Sequence, residues 1–302
     1  MFGLLSGYLG INTKKSSCYR TLELVCIVFF YCCLITAIFL LSAPDKIDGI
    51  KGLLSGFFPQ IKGRYWYITC YIPIGIFQPY INKMILSLSE KAHLKLCLLI
   101  TAVFGFIQSF VIVDLFKFDR GYSFVWLLCL YIIGAYLKRA NIADKIEKLS
   151  VKCGLVFICG ALVLTFGNLF VFMVINRQIS YFTSYISPIT MIMSISLVLM
   201  LSKVHIDKCG SLLAFFSSVA FDVYLIHCHI YIYDNLIKDN FVFIKEYPMI
   251  LAPFVMAMCA LLIFLSAGLV GGLRAFCFKA FKLNDLLKMI SEKIDKVIYC
   301  VE

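Results

Sequence analysis

Charged residues are scarce in this sequence of 302 residues. Only 15% of them are Asp, Glu, Lys or Arg, whereas 62% are hydrophobic, and the mean hydropathy is +0.94. A soluble domain with this balance could not cover its surface with polar atoms, so the composition excludes one. Repeated apolar runs approach the ~20 residues needed to cross a ~30 Å hydrocarbon layer, which predicts a polytopic membrane protein.

Long polar segments are also missing, and no internal repeat or low-complexity stretch is present. No segment between the apolar runs could bury a core of its own, so we expect one integral-membrane domain and no soluble domain. The predicted fold class is all-α: a polytopic transmembrane helix bundle with about eight full spans, an N-terminal half-span and a C-terminal amphipathic helix. The predicted spans are residues 24–43, 65–83, 94–113, 121–137, 152–175, 184–202, 211–232 and 250–273.

The two ends of the chain differ from the rest. Residues 1–11 would reach only ~17 Å as a helix, and they lack the basic region and cleavage site of a signal peptide. They are typical of the second half of a transmembrane helix. Apolar residues at three/four spacing with lysines between them predict an amphipathic helix in residues 274–302. The predicted domains are therefore a transmembrane domain, 1–273, and a cytoplasmic tail, 274–302, which lies on the membrane face or contacts a partner helix.

The loops that we place outside the membrane contain no cysteine, although the chain has 14. We therefore expect no disulfide, and no cysteine spacing indicates a zinc site. The net charge of +11 does not predict nucleic-acid binding, because the basic residues lie in short loops that flank apolar spans. Most of them fall in loops that we place inside, which predicts that both termini are cytoplasmic.

Histidine is rare, and two of the four histidines fall in the stretch 217–234. Ionisable groups in a lipid-spanning segment usually face a bundle interior or a water-filled cavity. The alternative is that the stretch lies at a helix end in the headgroup region. On one continuous helix, Tyr224, His227 and Tyr231 would share a face, and Asp222 and His229 a neighbouring one. A histidine that lies beside tyrosines and a carboxylate is typical of a site for general acid–base catalysis.

Two further segments combine polar and aromatic residues. The segment 64–83 opens on Arg64 and three aromatic residues, which are typical of an interfacial belt with a snorkelling arginine or of a site wall. Pro73 and Pro79 should kink its helix. Arg20 either pairs with Glu23 at a helix end or binds the phosphates of a donor that arrives from the cytoplasm.

Several motifs, in order along the chain, together resemble the membrane-bound acyltransferase 3 family. The run 127–139, LLCLYIIGAYLKR, resembles the LY-x-IG-A-Y-[IL] run of its polysaccharide acetyltransferase branch. The basic segment with Lys14, Lys15, Tyr19 and Arg20 is similar to one in the family, though poorer in arginine. Other matching residues are Phe2, Ser6, Gly7, Tyr8 and Leu9; Trp66, Ile68, Tyr71, Ile72, Pro79 and Asn82; and Phe221, Val223, Tyr224, Leu225, Ile226 and His227.

The resemblance implies a bundle of about ten helices that takes an acyl group from cytoplasmic acyl-CoA and passes it to a sugar hydroxyl. The resemblance implies a catalytic histidine on a first helix, which we expect this chain to lack, since its first histidine is His93, which we place in a cytoplasmic loop. The catalytic residue is therefore unknown, with His227 as a candidate. The chain is expected to derive from a truncated reading frame or to be an inactive remnant.

The predicted function is an integral-membrane O-acyltransferase, acting on a polysaccharide of the bacterial cell envelope or its lipid-linked precursor. The alternative is a non-enzymatic transporter or flippase-like protein, although the paired halves and matching broken helices of transporters are missing. We expect acyl-CoA, acetyl-CoA above all, as the donor, no bound cofactor or metal, and a bacterial inner-membrane location. The acyl group and the acceptor sugar stay open. The candidate substrate-binding residues are Ser6, Arg20, Trp66, Tyr71, Asn82 and Tyr224.

Overall fold

The computed structural model describes residues 1–12, 18–108, 114–175, 184–204 and 210–299. Within those ranges the chain forms helices and no β-strand, which confirms the all-α prediction. The α-helices are α1 (Phe2–Gly10), α2 (Tyr19–Ser42), α3 (Gly49–Phe57), α4 (Trp66–Ser87), α5 (Glu90–Ile100), α6 (Phe124–Arg139), α7 (Ile142–Lys145), α8 (Leu149–Ile175), α9 (Pro188–Leu201), α10 (Gly210–Cys228), α11 (Ile230–Ile232), α12 (Ala252–Ala280) and α13 (Leu283–Tyr299).

Three helices of the described chain are long and apolar enough to cross a membrane: α2, α12 and the part Leu149–Val171 of α8. They coincide with three of the predicted spans. A fourth span is reached if Leu213–Cys228 and Ile230–Glu246, which meet at an angle of 64°, count as one. The other predicted spans are also mostly helical where the structure describes them, but their helices are shorter or carry more polar residues.

The chain divides into two compact units. Unit 1 comprises Met1–Ser16 and Pro73–His205, and unit 2 comprises Ser17–Ile72 and Ile206–Glu302. The boundary falls inside α4, which continues as one helix through both Pro73 and Pro79. A proline removes one helical hydrogen bond without ending the helix when the surrounding structure compensates.

Unit 1 is built on the close approach of α1 and α6. The Cα of Gly7 lies so near α6 that an added Cβ would fall 1.9 Å from the Tyr131 carbonyl oxygen, and one at Gly134 would fall 2.0 Å from that of Leu4. Small residues let transmembrane helices approach to backbone contact. This contact gives a structural role to Gly7, which is also one of the residues that match the acyltransferase 3 family.

The prediction that His93 lies in a loop is wrong. Ser89 caps the N-terminus of α5 by accepting a hydrogen bond from the Ala92 backbone N–H, so the helix already begins at Glu90. His93 is fully buried, with its Nε2 3.1 Å from the Ile132 carbonyl oxygen of α6. The predicted span began later because the first turn of α5 has a low hydropathy. The start of a helix is set by its capping residue, here Ser89, and not by hydrophobicity.

The last helix is amphipathic, as predicted, and it packs inside unit 2. Leu287 and Ser291 are buried, and the Asp295 carboxylate accepts a hydrogen bond of 2.8 Å from the Cys18 backbone N–H at the start of α2. A carboxylate there also interacts favourably with the helix dipole. One side of α13 therefore contacts a partner helix of the same chain. An apolar set on its remaining surface stays exposed: Leu286, Met289 and Val297.

Candidate functional site

The predicted titratable stretch does not form one helix. His229 adopts an extended backbone conformation between α10 and α11, and its Nδ1 accepts a hydrogen bond from the Tyr231 backbone N–H at 3.4 Å. The predicted helical faces are therefore wrong beyond Cys228. Helical periodicity relates side chains only along an unbroken helix, and the bend redirects Tyr231.

The bend is held in place by α3. His229 is fully buried, and its Nε2 lies 3.1 Å from the Gly56 carbonyl oxygen. The Tyr231 hydroxyl donates to the Gly52 carbonyl oxygen at 2.6 Å. Both ring nitrogens of His229 are thus used, one as acceptor and one as donor, which is the pattern of a neutral imidazole. His229 and Tyr231 consequently stabilise the fold rather than present free groups.

The side chain of His227 lies in the last turn of α10. Its Nδ1 is 2.6 Å from the Val223 carbonyl oxygen, and its Nε2 is 3.3 Å from the Sγ atom of Cys228. The ring of Tyr224 is 6.1 Å away, centroid to centroid, in an edge-to-face arrangement. The histidine is half-buried, so it is held in one orientation but is not sealed off.

Aromatic residues from the start of α4 lie in the same unit. Trp66 contacts Tyr67 edge to face at 5.9 Å, and Tyr67 stacks on Tyr71 at 5.6 Å. Tyr65 donates its hydroxyl to the Leu225 carbonyl oxygen of α10, and its ring is 6.0 Å from that of Tyr224. Four of the five predicted site residues in unit 2 therefore lie in these two segments, which Tyr65 joins through its contacts with α10. The four are Trp66, Tyr71, Tyr224 and His227.

One cation borders this aromatic group. Arg64 pairs with Asp234 at 3.1 Å, and its guanidinium lies 4.2 Å from the centre of the Tyr233 ring. The site thus combines aromatic walls, a Cys–His contact and one partly exposed positive charge.

A buried ion pair in unit 2 has no counterpart among the predictions. Asp222 on α10 is fully buried, and Arg274 on α12 binds it with two hydrogen bonds, Nε to Oδ1 at 3.0 Å and a terminal nitrogen to Oδ2 at 2.9 Å. The Tyr31 hydroxyl lies near both groups without a well-aligned hydrogen bond to either. The predicted domain boundary at residue 273 falls inside α12, which separated Arg274 from the apolar run to which it belongs.

The family model described as an acyltransferase domain, that of acyltransferase 3, matches residues 1–271. The chain belongs to the acyltransferase 3 family. It is therefore a membrane acyltransferase, and the resemblance read from the motifs is confirmed. No curated protein and no solved structure matches the chain.

Two of the predicted substrate-binding residues, Ser6 and Asn82, lie in unit 1. The Ser6 hydroxyl donates to the Phe2 carbonyl oxygen of its own helix at 2.9 Å. The side chain of Asn82 is buried, donates to the Gly10 carbonyl oxygen at 2.9 Å, and accepts from the Tyr131 hydroxyl at 2.8 Å. The Gly10 carbonyl at the end of α1 thus accepts from Asn82 and, at 3.1 Å, from the side chain of Gln78.

Arg20 is exposed at the first turn of α2 in unit 2. The Glu23 carboxylate interacts with the neighbouring Tyr19 hydroxyl, and no ion pair between Arg20 and Glu23 forms within the described residues. Lys14 and Lys15, which we expect to assist Arg20, lie outside the described residues. The described chain also contains no group of three His, Cys, Asp or Glu side chains placed to hold a metal ion.

Replacing Asn82 with Ala should lower the free energy of unfolding by about 1–3 kcal/mol, because the buried Tyr131 hydroxyl loses its hydrogen bond to Asn82 and the Gly10 carbonyl keeps only the bond from Gln78. Thermal unfolding in detergent would measure the loss. Asn12, which is exposed, provides the matched control, and its replacement by Ala should change stability by less than about 0.5 kcal/mol. An Asn82 variant as stable as the parent, but defective in substrate binding, would contradict this structural role.

Proposed function

We propose that this acyltransferase transfers an acyl group, acetyl above all, from acyl-CoA to a sugar hydroxyl. The acceptor would be a polysaccharide of the bacterial cell envelope or its lipid-linked precursor, and the chain would reside in the bacterial inner membrane. The observation that carries the proposal is the half-buried aromatic site of unit 2, which includes the contact between His227 and Cys228.

The aromatic site suits a sugar acceptor. Ligand sites are usually apolar and aromatic, with a few polar groups that set orientation. Tyrosine adds a polar hydroxyl to an apolar ring. Tyr65 is tied to the α10 backbone through its hydroxyl, which favours a site wall over a belt that only faces headgroups. The proposed acceptor contacts are Trp66, Tyr71 and Tyr224.

The donor would be recognised from the cytoplasm. Arg20 is exposed at the start of α2, where its planar guanidinium could bind phosphate oxygens of CoA through two hydrogen bonds. The excess of basic residues in the loops assigned to the inside supports an orientation with both termini in the cytoplasm. The exposed apolar residues of α13, flanked by lysines, would then rest on the cytoplasmic membrane surface.

The test uses membranes from cells that produce the chain, supplied with acetyl-CoA labelled in its acetyl group. We expect alkali-labile label in the glycan fraction or the lipid-linked glycan fraction, and none above background from membranes without the chain. Trp66→Ala and Tyr224→Ala should each lower this transfer about tenfold, which is ~1.4 kcal/mol of lost binding.

Phe166→Ala is the matched aromatic control, because this ring is 63% exposed on α8 in unit 1, and its removal should leave transfer unchanged. Transfer that tolerates Trp66→Ala and Tyr224→Ala would remove the aromatic site from the reaction. Absence of any transfer in the presence of well-folded protein would refute the proposed activity itself.

A further inference from the structure

The contact between His227 and Cys228 fixes which ring nitrogen carries the proton. A backbone carbonyl can only accept, so the nitrogen 2.6 Å from the Val223 oxygen, Nδ1, must be the donor. In the neutral ring, Nε2 then carries the lone pair. The Cys228 thiol, 3.3 Å from Nε2, is the donor that this lone pair faces. The imidazole is thus oriented to remove the thiol proton.

This arrangement is that of an activated nucleophile. Such sites combine a nucleophile and a base within hydrogen-bond reach, with a third group that orients the base. Here Cys228, His227 and the Val223 carbonyl fill the three roles. Because Val223 lies inside α10, the orienting carbonyl is fixed by the helix.

The position of Cys228 also suits a reacting group. It is the last residue of α10, and the extended backbone of His229 starts a new direction immediately after it. The thiol is half-buried, in contrast to the buried thiols of Cys32, Cys97 and Cys129. It lies in the aromatic site, since the Tyr224 ring contacts His227 and the Tyr65 ring lies beside Tyr224.

We propose that Cys228 accepts the acyl group from acyl-CoA and carries it as a thioester before it reaches the acceptor. The inference rests on the proposed function for its donor and acceptor. In the first half-reaction His227 takes the thiol proton and the sulfur attacks the carbonyl carbon of acyl-CoA. A bond from Cys228 sulfur to carbon forms, the bond from CoA sulfur to carbon breaks, and the CoA thiolate leaves with the proton from His227.

The second half-reaction reverses these roles. His227 takes the proton of a sugar hydroxyl, and the oxygen attacks the thioester carbon of acyl-Cys228. The new carbon–oxygen bond forms as the bond to the Cys228 sulfur breaks, and the sulfur takes the proton back. The net result is one O-acyl sugar and one CoA thiol per acyl-CoA. No oxidant, reductant or metal is needed.

The test is isotope exchange without any acceptor. Purified chain mixed with acetyl-CoA and labelled CoA should form labelled acetyl-CoA, because only a covalent acyl-enzyme can release CoA before the acceptor binds. With acetyl-labelled donor and an acid quench, the label should be found on the peptide that contains Cys228 and be released by neutral hydroxylamine. Mapping the unaltered chain makes this readout independent of any variant's folding.

Cys228→Ala should abolish both the exchange and the protein-bound label. His227→Gln should slow the exchange about 100-fold or more, as expected for loss of a general base. Cys259→Ala, at a half-buried thiol of α12, is the matched control and should exchange at the parental rate.

Acetyl transfer to glycan at the parental rate in Cys228→Ala, or transfer without exchange and without bound label, would overturn the thioester while the proposed function stood. Label confined to another cysteine would overturn it as well. Absence of transfer, exchange and label together would overturn both the thioester and the proposed function.

Discussion

Replacing Asp222 with Ala is expected to lower the free energy of unfolding by about 3–5 kcal/mol. The reason is the positive charge of Arg274, which stays buried after the carboxylate has been removed. Arg274 has a side chain only 11% exposed, and it would keep its positive charge without the carboxylate that holds it by two hydrogen bonds. Thermal unfolding in detergent, compared with resistance to proteolysis, would measure the loss.

The double replacement Asp222→Leu with Arg274→Met should recover most of that loss. Two apolar side chains of similar volume remove both charges, and such exchanges of buried pairs are often neutral or stabilising. The single variants Asp222→Leu and Arg274→Met and the double variant form a double-mutant cycle. The cycle separates the interaction between the two charges from the packing that each side chain also provides. If the double variant lost as much stability as the two single variants together, an uncompensated charge could not be the cause of the loss.

An exposed ion pair supplies the matched control. Lys145 and Glu90 lie 3.4 Å apart with side chains more than half exposed. Lys145→Gln should therefore cost less than about 1 kcal/mol. A loss as large as that of Asp222→Ala would mean that breaking an ion pair of this chain costs the same stability whether or not the pair is buried. Burial would then not explain the effect expected for the α10–α12 pair.

Replacing Gly134 with Ala should lower stability by about 3 kcal/mol, the upper end of the usual range for overpacking. The added Cβ would lie 2.0 Å from the Leu4 carbonyl oxygen, with two further backbone atoms of Leu4 within 3 Å. A side chain could rotate away from such a clash, but a helix backbone cannot. We expect α1 to be displaced from α6, and thermal unfolding would report it.

Gly154→Ala is the control, since nothing lies within 4 Å of a Cβ at this helical position in the same unit. Alanine favours a helix over glycine by up to ~1 kcal/mol, so this variant should be unchanged or more stable. Adding Gly7→Ala to Gly134→Ala should cost less than the sum of the two, because one displacement of α1 relieves both clashes. Full additivity would show that the two glycines act at separate contacts.

The aromatic residues of the site could be read from the sequence because they cluster locally. Trp66 and Tyr71 fall within one helix, and Tyr224 and His227 within another, where their spacing of three residues predicts a shared face. Tyr65 belonged to the same cluster, but its bond to the α10 backbone depends on a contact across 160 residues. A contact of that kind leaves no spacing pattern in a single sequence.

The role of Asn82 illustrates the same limit. A polar residue in an apolar run indicates a hydrogen bond between helices or a ligand contact, and the sequence does not distinguish them. The structure gives Asn82 two partners inside unit 1, the carbonyl oxygen of Gly10 and the hydroxyl of Tyr131. Only the positions of those partners decide which alternative holds.

The sequence alone determined the membrane class, the all-α fold, the amphipathic last helix and the acyltransferase family, because hydrophobicity and local motifs are properties of contiguous residues. The tertiary structure decided the partner of Asp222, the bend at His229 and the burial of His93. Each depends on which distant backbone or charge lies opposite: Arg274 is 52 residues from Asp222, and Gly56 is 173 residues from His229. An ionisable group in a membrane must find a partner, but only packing determines which one it meets.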